Sequence, residues 1–450
     1  MQKIIIKNFR AIEFAEIELK KILVLIGEQA SGKSTVAKLV YFFKTIQDDF
    51  FVQVYESGNV DLEQLIQTKF RNFFGIIKDE FDLSFWFDEN KTIRIKGSNT
   101  ENNKVNISIS NLLDNKEVLN IEEIAKKLLN GESSYEDDLV KKSERNRLIK
   151  QLRTAINNIF NANQEDNLYV IAGRNVTVSY SDIFEQYLDS KIRRNIDNGK
   201  SPDSTDEQLM LKFIERVKDI KQSFKGGGSF QGFYSRYDNL ENTKNQNSTL
   251  QKIDDQSRKI LKSNYRFISD VEELRLEGKE IAIALSDASS GQQEVIRILQ
   301  DLFLVVLYEN KFLRIIEEPE AHLFPIAQKE LIELLALAVN YQPENQLIIA
   351  THSPYILSVF NNLLFANEVV AKGASLKNEV ATVIEEDFWL KAEDFRAYTL
   401  GGEEAYCESI MSEDGGMIDQ NYLDEVSEIL GMEFYALREL YRKTFKSKRR

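Results

Sequence analysis

The stretch ILVLIGEQASGKS, residues 22–34, decides the fold class of this chain. Residues 22–26 are all apolar, which is typical of a strand buried on both faces. Residues 27–34 match the pattern G-x-x-x-x-G-K-[ST], and a helix is predicted from about Gly32 to Ile46. Backbone N–H groups and a helix N-terminus at such a loop bind phosphates. The sequence therefore predicts a nucleotide-binding strand, loop and helix.

Within this loop, Lys33 is expected to reach the β- and γ-phosphates of ATP, and the Ser34 hydroxyl is expected to ligate Mg²⁺. The full set of residues predicted to contact the nucleotide here is Gly27, Glu28, Gln29, Ala30, Ser31, Gly32, Lys33, Ser34 and Thr35.

A second motif is LRIIEEPE at residues 313–320. Its mostly apolar start predicts a buried strand, and two carboxylates follow at the C-terminal end, where α/β sheets place their ligands. Glu317 is predicted to hold Mg²⁺ through water, and Glu318 to orient or deprotonate the attacking water. Read alone, the acidic run could instead mark a helix N-terminus. The phosphate-binding loop at residues 27–34, called the P-loop below, favours the catalytic interpretation.

Two further motifs follow predicted strands. The run ASSGQQ, residues 288–293, lies about 25 residues before the Glu-Glu strand, although Ser289 could simply be a helix N-cap. The run IIATHSP, residues 348–354, ends the next strand with His352. The chain has only two histidines, His322 and His352, and both follow these strands. That placement favours a catalytic role for His352.

Alternating strands and helices predict a mostly parallel α/β core. Paired strands are expected at residues 3–7 and 13–19, and β-rich stretches within 82–110. The other predicted core elements are strands at 168–171, 272–276, 280–285, 312–316 and 346–350 and helices from about 292 and over 325–339.

The composition bears on the cellular compartment of the chain and on the partners it can bind. No apolar run approaches the 18 or so residues of a membrane span, and the single cysteine, Cys407, suits a reducing cytoplasm. The net charge of −14 argues against binding nucleic acid by charge alone. The net charge does not exclude a local basic groove formed by runs of Lys and Arg. The alternative is that these runs are solvated helix faces and a frayed terminus. These runs are Lys141, Lys142, Arg145, Arg147, Lys150 and Arg153, then Arg193 and Arg194, then residues 443–450.

Taken together, the motifs resemble the ABC-type ATPase heads of the SMC, RecF and OLD families. By this resemblance residues 27–34 are the Walker A loop, Glu317 is the Walker B acid with Glu in place of the commoner Asp, and Glu318 is the catalytic glutamate. His352 corresponds to the switch histidine and residues 320–322 to the D-loop. The resemblance assigns the signature motif to Ser289, Ser290, Gly291 and Gln292, and it places Arg10, at the end of the first strand, near the nucleotide.

The resemblance implies a P-loop head with a mostly parallel core sheet, an antiparallel β lobe and an inserted helical lobe. In these families the signature of one subunit closes over the γ-phosphate held by another. The resemblance therefore implies that this chain forms a head-to-tail homodimer, or a higher even oligomer, around ATP. The predicted segments are the N-terminal half of the head with the β lobe (1–180), the helical insertion (181–265), the C-terminal half (266–365) and an α/β extension (366–450).

The sequences of residues 317–325 and 349–355 most resemble OLD-related bacterial ATPases, including antiphage subunits of the Septu, retron-associated and PARIS systems. Tyr169–Arg174, YVIAGR, resembles a strand-plus-arginine feature of that group without its usual proline. Because no Asp-x-Asp and no histidine follow Pro354, we expect a nuclease effector of HNH or TOPRIM type to be a separate partner. The alternatives are a RecF- or SMC-like repair ATPase acting directly on DNA and, less favoured, a transporter motor subunit.

Overall fold

The computed structural model describes most of the chain. The described residues are 1–98, 105–131, 139–162, 164, 166–179, 204–235, 244–279, 281–402, 405–412, 416–419, 432, 437 and 438.

In chain order the strands are β1 (Gln2–Phe9), β2 (Ile12–Leu19), β3 (Ile22–Gly27), β4 (Phe81–Trp86), β5 (Thr92–Gly97), β6 (Val105–Ser110), β7 (Asp166–Val170), β8 (Ser263–Ile268), β9 (Val271–Leu276), β10 (Ala282–Ala284), β11 (Phe312–Glu317), β12 (Gln346–Thr351), β13 (Phe395–Leu400) and β14 (Cys407–Ser409). The helices are α1 (Lys33–Lys44), α2 (Ile46–Ser57), α3 (Leu62–Phe74), α4 (Asn115–Gly131), α5 (Leu139–Phe160), α6 (Val176–Ser179), α7 (Thr205–Gly227), α8 (Phe230–Tyr234), α9 (Lys244–Leu261), α10 (Ser290–Leu307), α11 (Pro325–Asn340), α12 (Pro354–Lys372) and α13 (Lys377–Val383).

The central sheet has the strand order β14-β13-β3-β12-β11-β7. Five of these strands run parallel, and β14 pairs antiparallel with β13 at one edge. Every residue of β11 and β12 is buried, as the mostly apolar sequence predicts for strands covered on both faces. The strand that leads into the P-loop lies inside this sheet, between β13 and β12.

Two hydrophobic cores lie on opposite faces of the central sheet. Val24 belongs to the core that includes apolar residues of α9 to α12, whereas its neighbours Leu23 and Leu25 belong to the core formed with α1 to α5 and the N-terminal strands. Successive strand side chains point to opposite faces, so β3 contributes to both cores. Burial on both faces fixes the position of the P-loop strand.

Two antiparallel sheets complete the strands of the described residues. One has the order β2-β1-β4-β5-β6, and β8, β9 and β10 form a three-stranded meander. The pairing of β1 with β2 confirms the prediction for residues 3–7 and 13–19. The class is therefore mixed α/β with a mostly parallel central sheet and antiparallel sheets beside it.

Several predicted elements are confirmed, and others differ. The strands predicted at 168–171, 312–316 and 346–350 are present as β7, β11 and β12, and the helix predicted over 325–339 is α11. The strand β8 was not expected, because residues up to 265 were assigned to a helical insertion. Within the predicted insertion the structure describes α7, α8 and α9, while residues 181–203 lie outside the described part. None of the described helices has the length and apolar character needed to cross a membrane.

Candidate nucleotide site

The predicted site residues follow three adjacent parallel strands. In the sheet, β12 pairs with β3 through Thr351 and Ile26, and β11 pairs with β12 through Glu317 and Ala350. The C-terminal ends of parallel strands meet at one edge of a sheet. The P-loop, the Glu-Glu pair and His352 are therefore brought together at that edge.

The P-loop is held by its own lysine. Lys33 Nζ donates to the carbonyl oxygens of Gly27 at 2.8 Å and Glu28 at 2.6 Å, and lies 3.3 Å from Ser31 Oγ. The side chain is buried, and burial lowers the pKa of Lys33, although the charges of Glu318 and Glu320 oppose that shift. A phosphate could replace the loop carbonyls as the partner of the ammonium group.

Glu317 ends β11 as a buried carboxylate, with 6% of its surface exposed. Its Oε1 accepts a hydrogen bond from the Tyr169 hydroxyl at 2.6 Å, and its Oε2 accepts one from the Ala172 N–H at 3.3 Å. Burial and the neighbouring carboxylate raise the pKa of Tyr169 well above its usual value, so this phenol stays a hydrogen-bond donor. The carboxylate is thus held by both oxygens.

Glu318 has a different environment. Its backbone has φ 42°, a left-handed conformation that costs a residue with a side chain about 1–2 kcal/mol. Its N–H donates to Ala350 O at 2.8 Å, which helps hold that conformation. The side chain is 45% exposed, and its Oε1 lies 3.6 Å from His352 Nε2. Strained backbone of this kind is common at functional sites, and here it brings the predicted base next to the predicted switch histidine.

The segment after Glu318 is tied to β12. Glu320 Oε1 accepts hydrogen bonds from Thr351 Oγ1 at 2.6 Å and from the His352 N–H at 2.9 Å. The backbone of His352 is therefore fixed from the segment that carries Glu318, while its imidazole is one-third exposed. His322 is exposed and has φ 60°.

The predicted signature residues form the N-terminus of α10. Ser289 is the N-cap, and it forms a capping box with Gln292. Both Ser289 and Ser290 are exposed. A Cβ on Gly291 would lie 2.5 Å from His322 O, so only glycine allows the helix to approach the segment after β11 this closely. The N-cap interpretation holds, and the exposed helix N-terminus is also suited to an anion.

Arg10 lies in the turn between β1 and β2. Its guanidinium donates to Phe74 O at 3.4 Å and lies over the Phe74 ring. Two residues later, Ile12 packs against Gly32 of the P-loop. The structure thus brings the turn to the loop, whereas the described contacts of Arg10 itself are with the protein.

The donor set suits Mg²⁺ bound together with a nucleotide. Among the described residues, no group of three or more His, Cys, Asp or Glu side chains could hold a metal ion on its own. Mg²⁺ usually keeps several waters and takes one or two protein oxygens besides phosphate oxygens. The exposed Ser34 hydroxyl and the Glu317 carboxylate, at the ends of neighbouring elements, are such oxygens.

Comparison with known proteins identifies the family. Residues 1–357, which contain every motif above, match the AAA ATPase domain. The chain belongs to the AAA ATPase domain family. Nucleotide binding and ATP hydrolysis follow at the level of this family. Among curated proteins, none matches the chain.

Solved structures similar to this AAA ATPase include two SMC heads. One, "Crystal structure of the SmcHead bound to the C-winged helix domain of ScpA", is 10% identical, with 91% of this chain and 96% of that chain covered and a TM-score of 0.40. The other, "SMC head domain from Thermotoga maritima", is 10% identical, with 79% and 90% covered and a TM-score of 0.34.

The sequence assigns no role at the site to two parts of this AAA ATPase, although one of them, Arg174, is named in the strand-plus-arginine resemblance. Arg174 is fully buried against the backbone of Glu317 and Glu318. In addition, β13 pairs with β3, and a Cβ on Gly401 at its end would lie 2.8 Å from Ser31 Cβ. The paired glycines after the apolar residues of β13 were the available signal for a close approach.

Proposed function

We propose that this AAA ATPase is the ATP-binding and hydrolysing subunit of a bacterial antiphage complex. In this complex ATP controls a separate effector protein, which we propose to be a nuclease. ATP would lie on the P-loop, with Lys33 on its phosphates. Glu318 would activate the attacking water, and His352 would contact the γ-phosphate. The observation that carries the catalytic part is the 3.6 Å approach of Glu318 Oε1 to His352 Nε2 at the sheet edge where the P-loop also lies.

The pairing part of the proposal rests on the exposed N-terminus of α10. Ser289 and Ser290 are open to solvent, and an N-terminus of this kind can accept the γ-phosphate of a nucleotide bound to a second copy. Head-to-tail pairing would then complete two sites at once. The effector part rests on the resemblance of residues 317–325 and 349–355 to OLD-related defence ATPases.

The experiment is copurification followed by phage challenge. The tagged chain is expressed with its neighbouring genes, and a nuclease-type protein is expected to copurify and to be required for protection. Lys33→Ala should abolish protection while leaving the complex intact. Protection by this chain alone, with no copurifying protein, would contradict the effector part.

A second candidate is an ATPase that acts directly on DNA. Lys142, Arg147 and Lys150 are exposed on α5, and the last two line a cleft of about 790 Å³ between α4 and α5. The other described arginines of this basic run, Arg145 and Arg153, instead lie over the rings of Tyr55 and Phe51 on α2. Residues 193, 194 and 443–450 lie outside the described part. ATP-dependent DNA binding by the chain alone, lost on neutralising Arg147 and Lys150, would favour this candidate.

A further inference from the structure

The end of β7 lies beside the end of β11. The two strands pair in parallel, with Val170 opposite Ile316, so the residues that follow each strand are neighbours. This places Tyr169–Arg174 next to the two carboxylates of the proposed site. None of the residues 169–174 belongs to the Walker A, Walker B or signature motifs or is the switch histidine.

Tyr169 and Ala172 together hold the side chain of Glu317. The phenol donates to one carboxylate oxygen at 2.6 Å, and the amide donates to the other at 3.3 Å. Glutamate has one more rotatable bond than the aspartate common at this position, so its oxygens are less confined by the backbone. The hydrogen bonds from Tyr169 and Ala172 fix the positions of both carboxylate oxygens of Glu317.

Arg174 holds the backbone rather than a side chain. Its guanidinium is fully buried, and Nη1 donates to Glu317 O at 3.0 Å while Nη2 donates to Glu318 O at 3.1 Å. The second bond fixes the carbonyl of the residue whose φ is 42°. Five donors in a rigid planar fork suit several carbonyls at once, which a lysine ammonium cannot reproduce.

The same guanidinium contacts α10. Arg174 Nε donates to Glu294 O at 3.0 Å and lies 3.4 Å from Glu294 Oε2. Glu294 is buried and lies in the first turns of the helix whose N-terminus is the proposed signature. One side chain therefore connects the backbone of Glu317 and Glu318 to α10, the element that would serve a second copy.

We propose that Tyr169 and Arg174 are positioning residues for ATP hydrolysis. Tyr169 orients Glu317 toward Mg²⁺, and Arg174 fixes the backbone that aims Glu318 at the attacking water and links it to α10. The inference rests on the proposed ATPase site and deepens it, because it names what holds the metal-binding and catalytic carboxylates in place.

The first test compares Tyr169→Phe with Tyr41→Phe. Tyr41 is the matched control, because it is buried and its ring lies 5.6 Å from that of Tyr169, yet it makes no described hydrogen bond to Glu317. ATP affinity is measured by calorimetry in EDTA and in a Mg²⁺ titration. Tyr169→Phe should raise the Mg²⁺ concentration for half-saturation about 10-fold or more and leave affinity in EDTA unchanged. Equal Mg²⁺ dependence in the two variants would overturn the role of Tyr169.

The second test uses Arg174→Lys and Glu294→Gln. Arg174→Lys should lower kcat about 10–100-fold with KM for ATP within about twofold, and it should add nothing to the loss caused by Glu318→Gln. Glu294→Gln keeps the carbonyl contacts and should have the same kind of effect, only smaller. If Arg174→Lys fails to fold, Glu294→Gln decides alone. A KM change with kcat intact, or losses that add to that of Glu318→Gln, would overturn the role of Arg174.

Failure of the positioning roles and failure of the proposed function give different results. Wild-type protein that binds no ATP, with or without Mg²⁺, contradicts the proposed function itself. Wild-type protein that binds and hydrolyses ATP, with variants indistinguishable from Tyr41→Phe, contradicts only the positioning roles.

Discussion

The P-loop and the end of β11 face the same proposed ligand but are held in different ways. Lys33 bonds to carbonyl and hydroxyl oxygens two to six residues away in the chain. Glu317 is held by Tyr169, 148 residues away, and by Arg174, 143 residues away. A lysine bound to its own loop can turn to a phosphate without disturbing the fold. The Glu317 carboxylate is instead tied to Tyr169 of β7, and the backbone of Glu317 and Glu318 is tied through Arg174 to α10.

The largest expected effect comes from the P-loop side. Lys33→Ala should reduce both ATP binding and turnover to below detection, because no other described cation has its position in the loop. Calorimetry and phosphate release measure the two quantities. Lys38→Ala, which removes a buried lysine of the same helix paired with Asp206, should retain both. Normal turnover by Lys33→Ala would overturn the assignment of the loop.

The next effect separates chemistry from binding on the β11 side. Glu318→Gln should lower kcat by about 10²–10⁴ while ATP affinity stays near wild type, because the amide keeps the shape and loses the base. Light scattering in the presence of ATP should then show that the head-to-tail homodimer accumulates. Glu379→Gln, at an exposed carboxylate of α13, is the control. Unchanged kcat in Glu318→Gln would mean that another group is the base.

A smaller effect tests whether the P-loop has distant support after all. Gly401→Ala and Gly278→Ala both place a side chain at positive φ, 88° and 70°, yet only the first added Cβ meets an atom within 4 Å, Ser31 Cβ at 2.8 Å. Both should lose stability by about 1–2 kcal/mol. Only Gly401→Ala should also weaken ATP binding, by several-fold, in calorimetry. Equal ATP affinities would show that the loop does not depend on β13.

The smallest effect concerns a third buried lysine of α1, Lys44. Lys44 donates to Gln2 Oε1 at 2.7 Å, and burial lowers its pKa to about 7. Between that pH and its ordinary pKa, about 10.4, the unfolded chain binds more protons, so stability should rise with pH across this window. Denaturant unfolding of wild type and Lys44→Met at several pH values measures it. A difference between the two proteins that is independent of pH would contradict a lowered pKa.

The same contrast explains what could be predicted from sequence. Strand β3, its loop and α1 are contiguous, so one local pattern specified them. The ends of β11 and β12 were also predictable, because buried parallel strands have mostly apolar sequences. Arg174 was noticed only as part of a resemblance, since a buried arginine whose partners are four carbonyl oxygens leaves no pattern in its own neighbourhood. The place of β13 depends on a pairing across most of the chain, which no local signal encodes.

That pairing has a consequence for how the protein is made. On the ribosome, β3 emerges early, but both of its neighbours in the sheet, β12 and β13, begin more than 300 residues later. Strands that depend on such distant partners form slowly, because a long loop must close first. The apolar segment that leads to the P-loop therefore stays without its partners through most of synthesis. We expect nucleotide binding to begin only once residues up to about 400 have emerged, and chaperones to protect the nascent chain until then.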